Sequence, residues 1–285
     1  MEIDFIIPGA PKSATTSIVR ILQESPDIYI PPGEPRFFYI DKKYNKGMSS
    51  YNKMFLDAHK SMVKGEVSNI YMYSEKAIQR IKKHFPHIKF IVCLRNPSDR
   101  AFSQYNYCRE KGTEFLSFKT AVRREKFRQR FPHRFFRNNY AYITRGFYSV
   151  YLERMLKYFN IDQFHYVLFE DYIKNPKEEI RKILNFLNVD DSYLATLELF
   201  KKTNTTKYPV FPIFQLPVLF YHKVIKPRFD NRIMRFMANK INYYNLRGSK
   251  PCLSNEDKKS INKLFLSDIK KLEKIINKEI GRAHV

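Results

Sequence analysis

Residues 3 to 22 read Ile3-Asp4-Phe5-Ile6-Ile7-Pro8-Gly9-Ala10-Pro11-Lys12-Ser13-Ala14-Thr15-Thr16-Ser17-Ile18-Val19-Arg20-Ile21-Leu22. The apolar run ending at Ile7 predicts a short buried strand, and Ile18, Val19, Ile21 and Leu22 recur at helical spacing. Between them lies a tight loop with one lysine, and the helix opens on hydroxyl residues. In α/β proteins such a loop binds phosphate: free N–H groups and the positive dipole end of the helix face the anion, and the lysine adds a mobile charge. The nucleotide-triphosphatase pattern G-x-x-x-x-G-K-[ST] is not met, because Lys12 follows Gly9 by three positions. Ser13 or Thr15 as an ordinary helix cap would use the same residue types.

Outward from this unit, apolar runs alternate with amphipathic stretches, which predicts an α/β fold with a central parallel sheet flanked by helices. Strands are expected at Ile3–Ile7, Met62–Val67, Lys89–Leu94 and Phe164–Phe169. Helices are expected at Thr15–Gln23, Glu75–His84, Ser98–Glu110, Gly146–Phe159, Pro176–Leu187 and Asn255–Lys278. Asn175 before Pro176 reads as an N-cap with proline at the first helical position. The last helix places Ile261, Leu264, Phe265, Ile269, Leu272 and Ile276 on one face, with most of its lysines opposite. Arg123–Arg137, dense in arginine and phenylalanine, reads as a surface insertion. Lys201–Arg235, broken by four prolines, reads as loop and short helix. With no repeat and no linker, residues 1–279 are expected to form one domain. Ile280-Gly281-Arg282-Ala283-His284-Val285 resembles a translated sequencing adapter and is set aside as a non-native tail.

The chain of 285 residues, 44% hydrophobic and 16% aromatic, can build a core without disulfides or metal, so intrinsic disorder is excluded. Its 52 Lys plus Arg against 28 Asp plus Glu leave a net charge of +24. Such a field attracts polyanions, whether glycans, anionic membranes, nucleic acids or phosphate-rich cofactors, but a lysine-rich composition throughout would give the same excess. Three cysteines without a CxxC pair suggest neither a disulfide framework nor a zinc site. No apolar run reaches the roughly 18 residues of a membrane span. The chain opens without the features of a signal peptide, so a cytoplasmic protein is the expectation, with peripheral contact to an anionic membrane left open.

Lys12-Ser13-Ala14-Thr15-Thr16 resembles the 5′-phosphosulfate loop, K-x-G-[ST]-[ST], of sulfotransferases that use 3′-phosphoadenosine-5′-phosphosulfate (PAPS), with Ala14 in the glycine position. Arg95-Asn96-Pro97-Ser98-Asp99-Arg100-Ala101-Phe102-Ser103-Gln104-Tyr105 resembles the family's 3′-phosphate motif, R-[ND]-P-x-x-R-x-x-S-x-Y. Arginine suits a terminal phosphate because its fork donates two parallel hydrogen bonds. Gly33-Glu34-Pro35-Arg36-Phe37-Phe38 is similar to the K/A-E-P-H-F-F segment of carbohydrate sulfotransferases. Gly65-Glu66-Val67-Ser68-Asn69-Ile70-Tyr71 is similar to their G-E-x-S-P-x-Y, with Asn69 replacing proline. Blocks at Arg145-Gly146-Phe147-Tyr148, Phe169-Glu170-Asp171-Tyr172 and Asn185-Phe186-Leu187 extend the resemblance.

The resemblance implies a three-layer, P-loop-like fold and sulfuryl transfer from PAPS to a carbohydrate hydroxyl or amine, with no metal and no nucleic acid. It implies Lys12 as the cation at the leaving oxygen and Glu34, 22 residues later, as the base. A carboxylate base needs partial burial, for which Pro32, Pro35, Phe37 and Phe38 offer an apolar wall. The cofactor would be held by Lys12, Ser13, Ala14, Thr15, Thr16 and Ser17 at one end and by Arg95 and Ser103 at the other. Asn204 and Lys207 belong to a late basic loop suited to a lid. Arg36, Glu66, Tyr71 and Tyr148 are candidate acceptor contacts, and Glu66 is the reserve base. Two other readings use the same residues. One is a P-loop kinase with Glu170-Asp171 as magnesium carboxylates; the other is a non-catalytic polyanion- or glycan-binding protein of sulfotransferase descent.

Overall fold

The protein is described from a computed structural model, covering residues 2–59, 62–131, 138–197, 217–218, 221, 232–245, 252–278 and 280. Strands β1 (Phe5–Ile7), β2 (Ile28–Tyr29), β3 (Val63–Val67), β4 (Lys89–Leu94) and β5 (Phe164–Leu168) form one sheet in the order β2-β3-β1-β4-β5. Every pairing is parallel. The apolar runs are continuous because both faces of the sheet are covered, which is the rule for parallel sheets. Phe5, Ile6 and Ile7 are all fully buried. Phe5 stands opposite Gly65 in the register of β1 and β3. A side chain at Gly65 would overlap the Phe5 ring, so glycine is required there.

Each face of the sheet carries helices. One is covered by α1 (Thr15–Gln23) and α6 (Pro176–Leu187), whose Ile18, Leu22, Ile180, Ile183 and Leu184 pack with Phe5, Ile7, Ile91, Cys93 and Val167. The other is covered by α2 (Glu75–His84) and α4 (Tyr148–Leu156), with Ile78, Ile81, Leu152 and Met155 packed among Ile6, Phe90, Val92 and Leu94. This is the expected three-layer arrangement. The boundaries of α1, α2, β4 and α6 fall where the sequence puts them. α4 is shorter than the expected Gly146–Phe159 because a 3-10 turn, Thr144–Gly146, precedes it. β2, two residues long, and α5 (Phe169–Lys174) have no clear period to announce them.

Asn175 takes the N-cap place of α6, but its side chain makes no capping bond. It also ends α5, and its N–H is bonded to the Asp171 carbonyl. The expected apolar face of the last helix, here α8 (Asn255–Ile276), holds at Ile261, Phe265, Ile269 and Leu272; Leu264 is half exposed instead.

Contacts divide the chain into two units. The first comprises Met1–Asn96, Phe147–Lys201 and Phe265–Val285 and holds the sheet; the second comprises Pro97–Gly146 and Lys202–Leu264. Ile280, at the head of the segment set aside, is buried in the first unit. In the second unit, α3 (Pro97–Glu110) begins at Pro97 and α7 (Arg232–Asn245) starts at the end of the region expected to be loop. The rest of that region lies mostly outside the described residues.

Arg123–Arg137 is not simply a surface insertion. Within it Glu125 is buried, and its carboxylate accepts the backbone N–H groups of Ile143 and Thr144 at 2.7 and 2.8 Å. Glu114, also buried, accepts from Arg128 and from the Tyr142 hydroxyl. Burial of such carboxylates is tolerable only because donors surround them.

Candidate active site

β1 and β4 are neighbours, but the chain leaves β1 toward β3 and β2 and leaves β4 toward β5. Adjacent parallel strands with diverging connections open a crevice at their carboxyl ends, where α/β proteins bind ligands. The Lys12 loop follows β1 and Arg95 follows β4, so both predicted phosphate-binding segments of the first unit sit at that crevice.

The loop is pinned to β4 by Ala10 N–H to Cys93 O at 2.7 Å and Cys93 N–H to Gly9 O at 2.9 Å. Gly9 has φ +146°, and a Cβ there would lie 2.6 Å from the Met72 sulfur, so the loop can pass Met72 only as glycine. Lys12 and Ala14 both adopt left-handed backbone, φ +73° and +65°. That conformation explains why the resembled pattern carries glycine at position 14, and alanine holds it under strain. Ala14 is the N-cap of α1 and supplies no side-chain cap, nor is there an acidic residue in the first turn. The hydroxyls expected to cap do not: Ser13 is buried with its Oγ lacking any hydrogen-bond partner. Thr15 is buried and Thr16 exposed, while Ser17 Oγ is 2.7 Å from the Tyr172 hydroxyl. The helix start is thus open to an anion.

Arg95 is held against this loop. Its Nη1 donates to the Lys12 carbonyl at 3.1 Å, and its guanidinium lies 4.1 Å from the centre of the Phe169 ring. The Tyr148 hydroxyl donates to the Arg95 carbonyl at 3.0 Å, so Tyr148, almost fully buried, supports Arg95 and is not exposed to an acceptor. Glu170, weighed above as a magnesium ligand, accepts the Asn96 N–H at 2.9 Å. Ser103 lies on α3 in the second unit, partly exposed. Asn204 and Lys207 fall outside the described residues.

Glu34 sits in the loop after β2, with its side chain 28% exposed. Its Oε2 accepts from Arg36 Nε and Nη2 at 2.9 and 2.7 Å, and its Oε1 accepts from Asn69 Nδ2 at 2.7 Å. The Arg36 backbone, at φ +51°, is tied by its N–H to Ser68 Oγ at 2.9 Å. Phe37 and Phe38 turn into the core beside Tyr51 and Tyr71, and Pro32 is exposed, so the expected apolar wall reduces to the buried Pro35.

Glu66 and Tyr71 are fully buried, which corrects their assignment as acceptor contacts and removes Glu66 as the reserve base: neither side chain can meet a glycan or a bulk proton carrier. Their work lies underneath. Tyr71 Oη accepts the Phe38 N–H at 3.2 Å and so supports the loop that carries Glu34. Both Glu66 oxygens lack partners of regular hydrogen-bond geometry. Burial pushes its carboxyl up to about 7, offset only in part by the nearby Tyr71 and Tyr51 hydroxyls and by Lys43. The contacts of Phe169, Tyr172, Ser68 and Asn69 are not legible in the sequence. No local pattern marks them, because each partner comes from a distant element.

The profile of the sulfotransferase domain matches residues 2–217. The chain belongs to the sulfotransferase family. It is 32% identical over 184 residues to human heparan sulfate glucosamine 3-O-sulfotransferase 5, covering 65% of this chain and 53% of that one. It is 29% identical to the mouse 3-O-sulfotransferase 3B1, covering 65% and 45%. The chain therefore spans about half the length of these curated relatives. Among solved structures, a sulfotransferase from Alicyclobacillus acidocaldarius superposes with a TM-score of 0.72 at 23% identity, covering 98% of each chain. Mouse SULT7A1, solved with PAP, gives 0.54 at 15% identity, covering 100% of this chain and 88% of that one. These likenesses bear out the fold, a parallel sheet between helices, and the family match leaves the kinase reading without support.

Proposed function

We propose that this sulfotransferase moves the sulfuryl group of PAPS to a hydroxyl or amine of a carbohydrate acceptor. The observation that carries the reading is the Arg95 guanidinium bonded to the Lys12 carbonyl at the crevice between β1 and β4, in a chain of this family. The residues fit the donor. The uncapped start of α1 and the orphan Ser13 hydroxyl suit its 5′-phosphate, and Arg95 suits a terminal phosphate. When bound, PAPS supplies the SO₃ group and leaves as adenosine 3′,5′-bisphosphate. Lys12 places positive charge where the bridging oxygen gains negative charge, which counts more in the transition state than in the ground state. Glu34 takes the acceptor proton as the acceptor oxygen or nitrogen bonds to sulfur and the sulfur–oxygen bond to phosphate breaks. The carbohydrate assignment draws on the heparan sulfate relatives, and no residue role calls for a metal.

Incubation with radiolabelled PAPS and a panel of glycans tests the reading. Label should pass to a glycan without added metal, and Glu34→Gln should lower transfer by about 10²-fold while PAPS binding survives. Transfer that survives the substitution would move the base elsewhere. Two lesser proposals accompany it. Cys93 and Cys108, buried and outside any disulfide, suit a reducing, cytoplasmic compartment. The basic helix α7, with Ile233, Phe236 and Tyr243 exposed, suits peripheral contact with an anionic membrane, which co-sedimentation with phosphatidylglycerol vesicles would test. No helix among the described residues is long and apolar enough to cross a membrane.

A further inference from the structure

Two of the three places where this chain departs from the resembled glutamate-bearing segments, Arg36 and Asn69, meet on one carboxylate; the third is Gly33. Arg36 occupies the histidine position of one pattern and Asn69 the proline position of the other. Arg36 puts two donors on Glu34 Oε2, and Asn69 puts one on Oε1. A carboxylate has about four acceptor positions, so three donors nearly fill it. Oε2 cannot take a proton from an acceptor while two N–H groups point at it. One position on Oε1 stays open, so it is Oε2 that Arg36 must leave before that oxygen can act as the base.

The two holds differ in kind. Asn69 is anchored: its side chain is part-buried, the preceding Ser68 is tied to Ile7 by N–H to O at 3.0 Å, and its own carbonyl lies beside Gly9 of the phosphate loop. It therefore fixes Glu34 relative to the Lys12 loop. The Arg36 side chain is 50% exposed, and exposed ion pairs of this kind contribute little net stability. Its backbone stays in place through Ser68, so the guanidinium can move while the loop does not. An acidic group arriving beside the reacting hydroxyl or amine would offer that guanidinium an equivalent carboxylate or sulfate partner.

We propose that Arg36 is a removable cap on Glu34 and Asn69 its fixed anchor, so that an acceptor carrying an acidic group beside the reacting position uncovers the base. This rests on Glu34 as the base and adds the acceptor class: acidic sugars over neutral ones. In the uncovered state the acceptor proton passes to Glu34 Oε2, the new bond to sulfur forms, and the phosphate oxygen departs with the electron pair of the broken bond. Arg36 and Asn69 are positioning residues for this step.

The test uses the full chain saturated with adenosine 3′,5′-bisphosphate and labelled at arginine with nitrogen-15. The Arg36 Nε–H signal is assigned by its absence in Arg36→Lys, and methyl β-glucuronide and methyl β-glucoside are titrated in turn. The glucuronide should shift that signal and the glucoside should not. In Glu34→Gln the signal should start displaced from its wild-type position. An Arg36 signal that ignores the glucuronide, or answers both sugars alike, overturns the proposal.

A kinetic arm compares an unsulfated uronic-acid polysaccharide with its carboxyl-reduced counterpart. Wild type should favour the acidic form by about tenfold in kcat, Arg36→Gln should lose that preference, and Arg36→Lys should regain part of it. Asn69→Ala should lower kcat on both by about tenfold with little change in KM. An Arg36→Gln enzyme that keeps the preference overturns the proposal. Unimpaired transfer by Glu34→Gln would instead overturn the base assignment, and the spectroscopic arm stands without any turnover.

Discussion

Glu66→Gln should abolish a pH dependence of stability that the wild type carries in the neutral range. Glu66 is fully buried and its carboxyl is pushed up to about 7 from the ordinary 4.5, chiefly by desolvation. A raised carboxyl means that the folded chain binds a proton more tightly than the unfolded chain. The resulting stability is fully present below 4.5, is lost as pH rises through the interval up to about 7, and stays lost above it. At about 1.4 kcal/mol per pH unit, that interval corresponds to about 3 kcal/mol. Glutamine keeps the shape and one acceptor oxygen but cannot ionise. Urea unfolding of both proteins at several values from about pH 5 to about pH 8 gives the test. The stability of the variant relative to wild type should rise by about 2.5 kcal/mol across that range, since part of the effect is already spent at pH 5. A constant difference would show that Glu66 is either ionised throughout or matched by partners in the fold, and would refute the desolvation argument.

Other substitutions probe the remaining claims. Gly65→Ala should cost about 3 kcal/mol or prevent folding, since its Cβ would overlap the Phe5 ring in the centre of the sheet; chemical denaturation reads this. Ala14→Gly should stabilise by about 1 kcal/mol in the same assay, because alanine is held at φ +65°. Lys12→Ala should remove most turnover, whereas Arg95→Ala should chiefly weaken PAPS binding; a raised KM with intact turnover in the lysine variant would count against its role at the leaving oxygen. Calorimetry should find tight binding of adenosine 3′,5′-bisphosphate and much weaker binding of AMP, with the gap narrowed in Arg95→Ala.

Local pattern sufficed for much of the fold and for part of the site. Strands buried on both faces must be unbroken apolar runs, and helices facing one core must carry a 3.6-residue period, so β1, β4, α1, α2 and α6 are written in consecutive residues. The lysine loop and the Arg95 segment were legible for the same reason: each is one short stretch with its own backbone demand. The capping residues were not. Ser13 and Thr15 looked like caps, yet Ser13 is buried without a partner and Asn175 makes no capping bond, because the surrounding loop and the preceding helix decide where those side chains can go.

By itself the sequence determined an α/β chain with a phosphate-binding loop, a second basic segment and a glutamate in a recognisable place. Tertiary structure alone decided that Glu66 and Tyr71 lie beneath the site and not in it, since burial depends on how the loop after β2 folds over the end of β3. It alone decided that Arg36 and Asn69, 33 positions apart in the sequence, converge on Glu34. Hydrogen bonds and desolvation act over a few ångströms of space, and spacing along the chain encodes such distances only within a helix, a strand or a tight turn.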